Sequence, residues 1–287
     1  MQESEEGKAA TAVTPRAEPA FARVLCAIDG KDGGFEAVRQ AAALAAPGGE
    51  LTLLLVTSWR NIGHLAPAIG AIDAHAAVKR AESIAAEAGV RSTIEVDPAA
   101  PPARAVLDWA SGHDLLAIGA PASSWLGGLV ITGVGDGAVG ELPIPVLTAR
   151  APSSDDVCRH VLVASDALAD SVHPTAVGGA LAASRGTRLT LLHALSHRPP
   201  RDAKELVLAQ AEWLRERGVP RPDLVLRHGR AHEVILDVAE RLGASLIVQG
   251  SRRRAGLRAL GSVSRRVVHE AGCSVLTVPP EMELPEP

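Results

Sequence analysis

The chain has 287 residues, enough for about two domains of ordinary size. Its composition, 47% hydrophobic and 22% charged, indicates a soluble globular protein with sizeable cores. A net charge of −4 and the scarcity of aromatic residues (no Tyr, two Phe and four Trp) argue against a nucleic-acid partner or a membrane surface.

The first twenty residues are polar, acidic and rich in Ala and Pro, so we expect a disordered leader at 1–20. They lack the basic start and the apolar stretch of a signal peptide. No run of about 18 apolar residues occurs, so no membrane span is expected. The three cysteines lie far apart without metal-ligand spacing, and Cys26 and Cys273 are predicted to be small buried hydrophobes. We therefore expect a cytoplasmic protein.

Short runs rich in Val, Ile and Leu alternate with segments of helical periodicity through the first half of the chain. Continuous apolar runs of this kind are typical of strands buried on both faces of a parallel sheet. The predicted strands are Arg23–Asp29, Glu50–Val56, Arg91–Val96, Asp114–Ala120 and Pro145–Ala149, and the predicted helices are Glu36–Ala46, Ala74–Ala88 and Ala103–Ala110.

The second half repeats this order of apolar runs. The runs are His160–Asp166, Arg188–Ala194, Ser245–Ser251 and Ser274–Val278, with Leu224–His228 as a further strand and His232–Arg241 as a helix. The repetition predicts two domains, at 21–150 and 159–280, with a linker at 151–158 and an acidic tail at 281–287. The fold class is therefore α/β: two tandem doubly wound parallel five-stranded sheets.

Ligands of open parallel α/β sheets bind beyond the carboxyl ends of the strands. The first predicted strand of each copy ends in an aspartate, Asp29 or Asp166. A carboxylate there can accept hydrogen bonds from a ribose or an exocyclic amine. Alternatively, each aspartate serves only to N-cap the helix that follows. The pattern alone leaves both interpretations open.

The fourth predicted strand of the second copy leads into a loop that could hold phosphate. It ends in Gly250-Ser251, and Gly261-Ser262 then opens the last helix, where unpaired N–H groups and the helix dipole favour an anion. The loop also carries four arginines that would strengthen anion binding: Arg252, Arg253, Arg254 and Arg258. The alternative is a capped glycine-rich loop whose arginines are simply solvated. No nucleophile–base pair stands out in the sequence, so we do not predict an enzyme.

The stretch from Gly229 to Val278, with its "SLIVQGS", "GSV" and "CSVLTV" segments, resembles the universal stress protein family. The resemblance implies a Rossmann-like, adenine nucleotide α-hydrolase-like fold. Members that bind ATP carry a loop of the form G-x2-G-x9-G-[ST]. In this chain Arg253 stands at the second glycine, and the loop to Gly261 is two residues shorter. The first copy has Ala122 at the second glycine position.

The resemblance also implies which residues would hold an adenine nucleotide. The ends of the first strands hold the adenine and ribose, the ends of the second strands pack on the base, and the glycine loops hold the phosphates. In chain order, these candidate positions are Ile28, Asp29, Val56, Gly119 and Gly133 in the first copy, and Ser165, Asp166, Ala194, Gln249, Gly250, Arg253, Gly261, Ser262 and Val263 in the second.

Taken together, these features predict a universal stress protein that binds ATP, with Mg²⁺ as a companion of the phosphates, weakly or in one copy only. It would act as a stress-response regulator. The alternatives are a nucleotide-independent interaction module and a slow ATP hydrolase. The resemblance implies that the strands Val146–Thr148 and Val275–Val278 pair within the chain, since a linker raises their effective concentration. A further homodimer of the chain stays open.

Overall fold

The computed structural model describes residues 21–56, 71–97, 102–120, 142, 144–151, 156–166, 172–195, 203–219, 222–251 and 262–280. The predicted leader and tail lie outside these residues. The elements of the first copy are β1 (Phe21–Ile28), α1 (Asp32–Leu44), β2 (Ala45–Val56), α2 (Ala71–Glu87), β3 (Arg91–Asp97), α3 (Pro102–Ala110), β4 (Leu115–Gly119) and β5 (Val146–Ala149). Those of the second are β6 (His160–Ser165), α4 (Val172–Arg185), β7 (Arg188–Leu195), α5 (Ala203–Glu216), β8 (Asp223–His228), α6 (Ala231–Leu242), β9 (Leu246–Gly250), α7 (Ser262–Glu270) and β10 (Ser274–Val278).

The two predicted sheets are halves of one ten-stranded sheet. Its strand order is β3-β2-β1-β4-β5-β10-β9-β6-β7-β8. Strands within each copy pair in parallel, which confirms the doubly wound class. The copies meet through antiparallel pairing of β5 with β10, where Leu147 lies opposite Leu276 and Thr148 opposite Val275. The predicted pairing of these two strands is thus confirmed, and we call this junction the seam.

A hydrophobic core covers each face of the sheet, and each of these two cores contains residues of both copies. Successive strand residues point to opposite faces, so Cys26 packs under α1 while Leu25 packs under α3. On the α1 face, the last residue of α4, Arg185, donates a hydrogen bond to the carbonyl of Ala43 in the last turn of α1. Leu147 is fully buried at the seam itself. The hydrophobic layers of the two copies are therefore continuous.

The first helix begins and ends earlier than the sequence pattern predicted. It runs from Asp32 to Leu44 rather than from Glu36 to Ala46, and β2 begins at Ala45 rather than at Glu50. Pro47 accounts for the early end, because a residue before proline is pushed towards extended backbone. At the start, helical hydrogen bonding begins before Glu36, because the N–H of Phe35 already donates to the carbonyl of Lys31.

The cysteines behave as buried apolar side chains. Cys26, Cys158 and Cys273 are all free and buried, which confirms the prediction for Cys26 and Cys273. Burial raises the pKa of the Cys158 thiol to about 12 and that of Cys273 to about 11. Both therefore stay protonated at neutral pH.

A histidine bridges helix and sheet at the amino edge of the strands in each copy. In the second copy, His160 contacts the carbonyl of Leu242 through Nδ1 at 3.3 Å and Thr190 Oγ1 through Nε2 at 2.9 Å. The first copy makes the equivalent bridge with His113, which contacts Thr52 Oγ1 at 3.1 Å. The two histidines occupy different places in the repeat, since His113 precedes β4 whereas His160 begins β6. The two copies thus make the same kind of helix-to-strand contact with histidines at different positions of the repeat.

We predict that acidification destabilises the protein through His160. Burial lowers the pKa of this imidazole, partly offset by the Leu242 carbonyl. The unfolded chain therefore takes up a proton near its ordinary pKa of about 6.5 while the folded state resists it. Stability is retained above that pH and falls as the pH drops below it. Thermal unfolding at pH 7.5 and 5.5 should show a larger decrease of Tm in the unsubstituted protein than in His160→Gln, and equal decreases would contradict the prediction.

Candidate functional site

The order of the sheet reverses between β1 and β4 in the first copy and between β6 and β9 in the second. The carboxyl ends of these strands are the switch points at which open α/β sheets bind ligands. The predicted site residues at the strand ends, Asp29 with Gly119 and Asp166 with Gly250, lie at these two points. The two points have the same topology and can be compared directly.

In the first copy, the side chain of Asp29 forms a hydrogen bond within the turn that leads into α1. Its side chain is only 4% exposed, and its Oδ1 accepts a hydrogen bond from the N–H of Lys31 at 3.1 Å. The N-cap of α1 is Lys31, not Asp29. Asp29 therefore closes the turn just before the helix and is not the simple N-cap considered above, whereas its contact with a ligand stays a prediction.

The first turn of α1 also packs directly on the end of β4. A Cβ added at Gly119 would lie 2.5 Å from the carbonyl carbon and oxygen of Gly33, and 2.9 Å from the nitrogen of Gly34. Two backbone segments are thus in contact at the switch point. A side chain at position 119 would therefore not fit without moving the first turn of α1.

In the second copy, residues 167–171, which include the counterparts of Gly33 and Gly34, lie outside the described residues. Among the described residues, a Cβ added at Gly250 would meet only Pro174 Cγ, at the ordinary contact distance of 3.7 Å. Asp166 is partly exposed at the end of β6, unlike its counterpart Asp29. The neighbouring backbone is held firmly, because the carbonyl of Ser165 contacts His193 Nδ1 at 2.9 Å.

Gln249, one of the candidate nucleotide contacts, anchors the helix that follows. Its Nε2 donates to the carbonyl of Ser264 at 3.0 Å and contacts Thr277 Oγ1 at 3.4 Å. Ser264 Oγ in turn donates to the carbonyl of Gly250 at 2.8 Å. The first copy has Ile118 at this strand position. A polar residue inside an apolar run was the signal in the sequence.

Gln249 also has an unused acceptor. Its side chain is 97% buried, since only 3% is exposed, and its Oε1 has no hydrogen-bond partner in the described part of the chain. A buried acceptor without a donor is costly. The end of β9 next to α7 therefore carries a buried oxygen that can accept a further hydrogen bond.

The remaining predicted positions fall into three groups. Ile28 is buried at the end of β1, Ala194 is half-buried in β7, and Val263 is half-buried in the first turn of α7. Val56 ends β2 and Ser262 begins α7, but their side chains are not among those described. Several predicted positions lie outside the described residues altogether: Ala122, Gly133, Arg252, Arg253, Arg254, Arg258 and Gly261.

A cavity of about 630 Å³ opens beside the first switch point and reaches the seam. Its lining includes Glu36 and Arg39 of α1, Arg80 of α2, Arg150 after β5, and Gly272 of the second copy. Positive and negative side chains are mixed, and the predicted residues Asp29 and Gly119 are not part of the lining. Gly33 and Ala120 do line it, so the cavity adjoins the first switch point without including these two predicted residues.

The doubly wound sheet with a reversal of strand order in each half defines a Rossmann-like α/β protein of the adenine nucleotide α-hydrolase type, present as two tandem domains. The family model described as "Universal stress protein family" matches residues 20–150 and again residues 158–279. The chain therefore belongs to the universal stress protein family, as the resemblance implied.

Relatives and solved structures agree with this assignment. A universal stress protein of Thermus aquaticus is 37% identical over 134 residues, which cover 42% of this chain and 98% of the relative. The crystal structure of a universal stress protein from Archaeoglobus fulgidus DSM 4304 superposes with a TM-score of 0.68 at 18% identity, covering 90% of this chain and 98% of that one. One from Pseudomonas aeruginosa UCBPP-PA14, described as putative in its source, has a TM-score of 0.64 at 15% identity, covering 92% and 95%. At these identities the two structures show the fold.

Among the described helices, none is long and apolar enough to cross a membrane.

Gly119 should tolerate a methyl group poorly. Its φ is not positive, so the cost is one of space alone. Gly119→Ala would drive a Cβ into the backbone of Gly33 and should lower the free energy of unfolding by about 1–3 kcal/mol. Urea denaturation measures this loss, and a change of less than about 0.5 kcal/mol would contradict the close packing of α1 on β4.

Proposed function

We propose that this universal stress protein binds an adenine nucleotide, ATP, at the switch point of the second copy and acts as a stress-response regulator. Membership of the family supports the class of ligand through the motifs described above. The choice of copy rests on geometry. The free, buried cysteines suit a reducing compartment, and we place the protein in the cytoplasm on that ground.

The contrast between the two strand-end aspartates carries the choice of site. Asp29 is buried and its Oδ1 accepts the N–H of Lys31, whereas Asp166 is partly exposed at the end of β6. A nucleotide at a switch point binds beside these strand ends. The second copy therefore offers a more accessible carboxylate to a ligand than the first.

The surroundings of the second switch point also suit the parts of ATP. Asp166 follows β6 and is partly exposed, so its carboxylate can accept hydrogen bonds from a ribose. α7 begins at Ser262, just after the arginine-rich loop, and the positive end of a helix favours phosphate. Mg²⁺ would accompany the phosphates and offset their charge. The sequence shows no nucleophile–base pair, and we propose binding without turnover.

The first copy would serve mainly as a built-in partner for the second. Its aspartate is used by its own turn and its strand-end glycine is covered by α1. The same observations support a second candidate function, a nucleotide-independent interaction module. In that case neither copy would bind a nucleotide. Titration with nucleotide separates the two functions.

Asparagine substitutions in the two copies form a matched pair for this test. Asp166→Asn removes a carboxylate from the proposed site and should weaken ATP binding by at least roughly tenfold, the loss expected for a hydrogen bond to a charged group. Asp29→Asn keeps an acceptor for the Lys31 N–H and should leave the affinity unchanged. Isothermal titration calorimetry with ATP and Mg²⁺ measures both.

The same preparations test the remaining possibilities. No heat from the unsubstituted protein at millimolar ATP would overturn nucleotide binding and leave the interaction module. An equal loss of affinity in both variants would contradict the choice of the second copy. Steady release of inorganic phosphate over hours, abolished by Asp166→Asn, would show a slow hydrolase instead of a binding protein.

A further inference from the structure

Side chains of the two copies form a buried polar network across the seam. Gln40 of α1 and Ser274 of β10 are both fully buried. Ser274 Oγ lies 2.7 Å from Gln40 Oε1 and accepts the backbone N–H of Arg150 at 3.0 Å. Gln40 Nε2 donates to the carbonyl of Arg150 at 2.7 Å. Both backbone polar groups of Arg150 are thus fixed, one by each copy.

The side chain of Arg150 extends from this fixed point to the end of α7. Its Nη2 donates to the carbonyl of Val268 at 2.6 Å and to that of His269 at 3.2 Å. These carbonyls belong to the last turn of the helix, where unpaired acceptors and the negative end of the dipole attract a cation. Burial lowers the pKa of the Arg150 guanidinium, but arginine keeps its charge at neutral pH. The first copy therefore caps a helix of the second.

The capped helix is the one that begins at the proposed phosphate site. α7 has nine residues and a length of about 13 Å. Gln249 and Ser264 tie its first turn to β9, as described above. Arg150 ties its last turn to the first copy. A short helix held at both ends can be displaced as a rigid body only if one of these attachments is released.

The contacts that Gln40 and Arg150 make with the second copy are not repeated from the second copy to the first. Ala149 pairs with Gly119 in the first copy, and Val278 pairs with Gly250 in the second. The residue after Ala149 is Arg150, so its counterpart is the residue after Val278, Pro279. In the repeat, Val177 corresponds to Gln40 and Pro145 to Ser274. These counterparts have no side-chain hydrogen-bonding groups. The second copy therefore cannot return the same contacts to the first.

We propose that Arg150 of the first copy is a positioning residue for the nucleotide site of the second copy, acting through the last turn of α7. Gln40 and Ser274 hold the backbone of Arg150 in the place from which its side chain reaches that turn. This inference rests on the proposed nucleotide site for its functional part. Its structural part, the hold on α7, can be measured without any nucleotide.

Arg150→Gln removes the cation and should loosen α7 in the full-length protein. Hydrogen–deuterium exchange without nucleotide should quicken in peptides covering 262–270 by roughly fivefold, the value expected when a helix loses a favourable charge at its end. The same variant should bind ATP with Mg²⁺ roughly three- to tenfold more weakly, as expected for a coupling residue. Arg150→Lys keeps the charge and should recover part of both effects.

Arg159→Gln is the matched control. Nη2 of Arg159 donates to the carbonyl of Gly243 at the end of α6, in the same copy as α7. It should leave both the exchange of 262–270 and the ATP affinity unchanged. Gln40→Val, which copies the residue of the other half, should reproduce the Arg150→Gln pattern more weakly. A matching change in Arg159→Gln would indicate general destabilisation and overturn the assignment.

Two further outcomes would also overturn it. Unchanged exchange in α7 of Arg150→Gln would show that the arginine does not hold the helix. Quicker exchange with unchanged ATP affinity would show that it holds the helix without positioning the site. If the unsubstituted protein binds no ATP, the proposed function itself fails, and the exchange measurement still decides whether Arg150 holds α7.

Discussion

The antiparallel pairing of β5 with β10 is the contact on which the rest of the molecule depends. Each five-stranded half would otherwise end in a strand with unpaired backbone groups and an apolar residue such as Leu147 on its face. Pairing removes both edges at once and makes the hydrophobic layers of the two halves continuous on either side of the sheet. Because the halves share one chain, their effective concentration is high and the contact needs only a few residue pairs.

Burial on both faces also explains where the copies differ. Interior strand residues contact neighbours above and below, so a change of size or polarity there is costly. The ends of the strands are less constrained, and the copies diverge there. Asp29 is buried at the end of β1, whereas its counterpart Asp166 is partly exposed. Ile118 is an ordinary core residue, whereas Gln249 at the same register holds the first turn of α7. The same scaffold thus supports two different strand ends.

The sequence predicts the features that depend on local pattern. Continuous apolar runs located the strands, and their repetition gave the tandem fold; the family resemblance then suggested the pairing of Val146–Thr148 with Val275–Val278, as observed. The features it missed depend on residues distant in sequence. The bridge from His160 to Thr190 and the contact between Arg150 and Val268 require the folded sheet to bring the partners together. The burial of Asp29 was missed for a similar reason, because α1 begins at Asp32 and not at Glu36 as predicted.

A fused pair of domains can specialise in a way that a pair of identical chains cannot. In a symmetric dimer every substitution appears on both sides of the interface, so a gain on one side is tied to the same change on the other. Here Gln40 and Arg150 stand on one side and Ser274 and the end of α7 on the other, while their counterparts Val177 and Pro279 make no such bonds. Asymmetry of this kind also disfavours pairing of like copies, because a buried Gln40 would then face Pro145 and lose its Ser274 partner. Tandem fusion therefore lets the two copies take different structural roles at the seam.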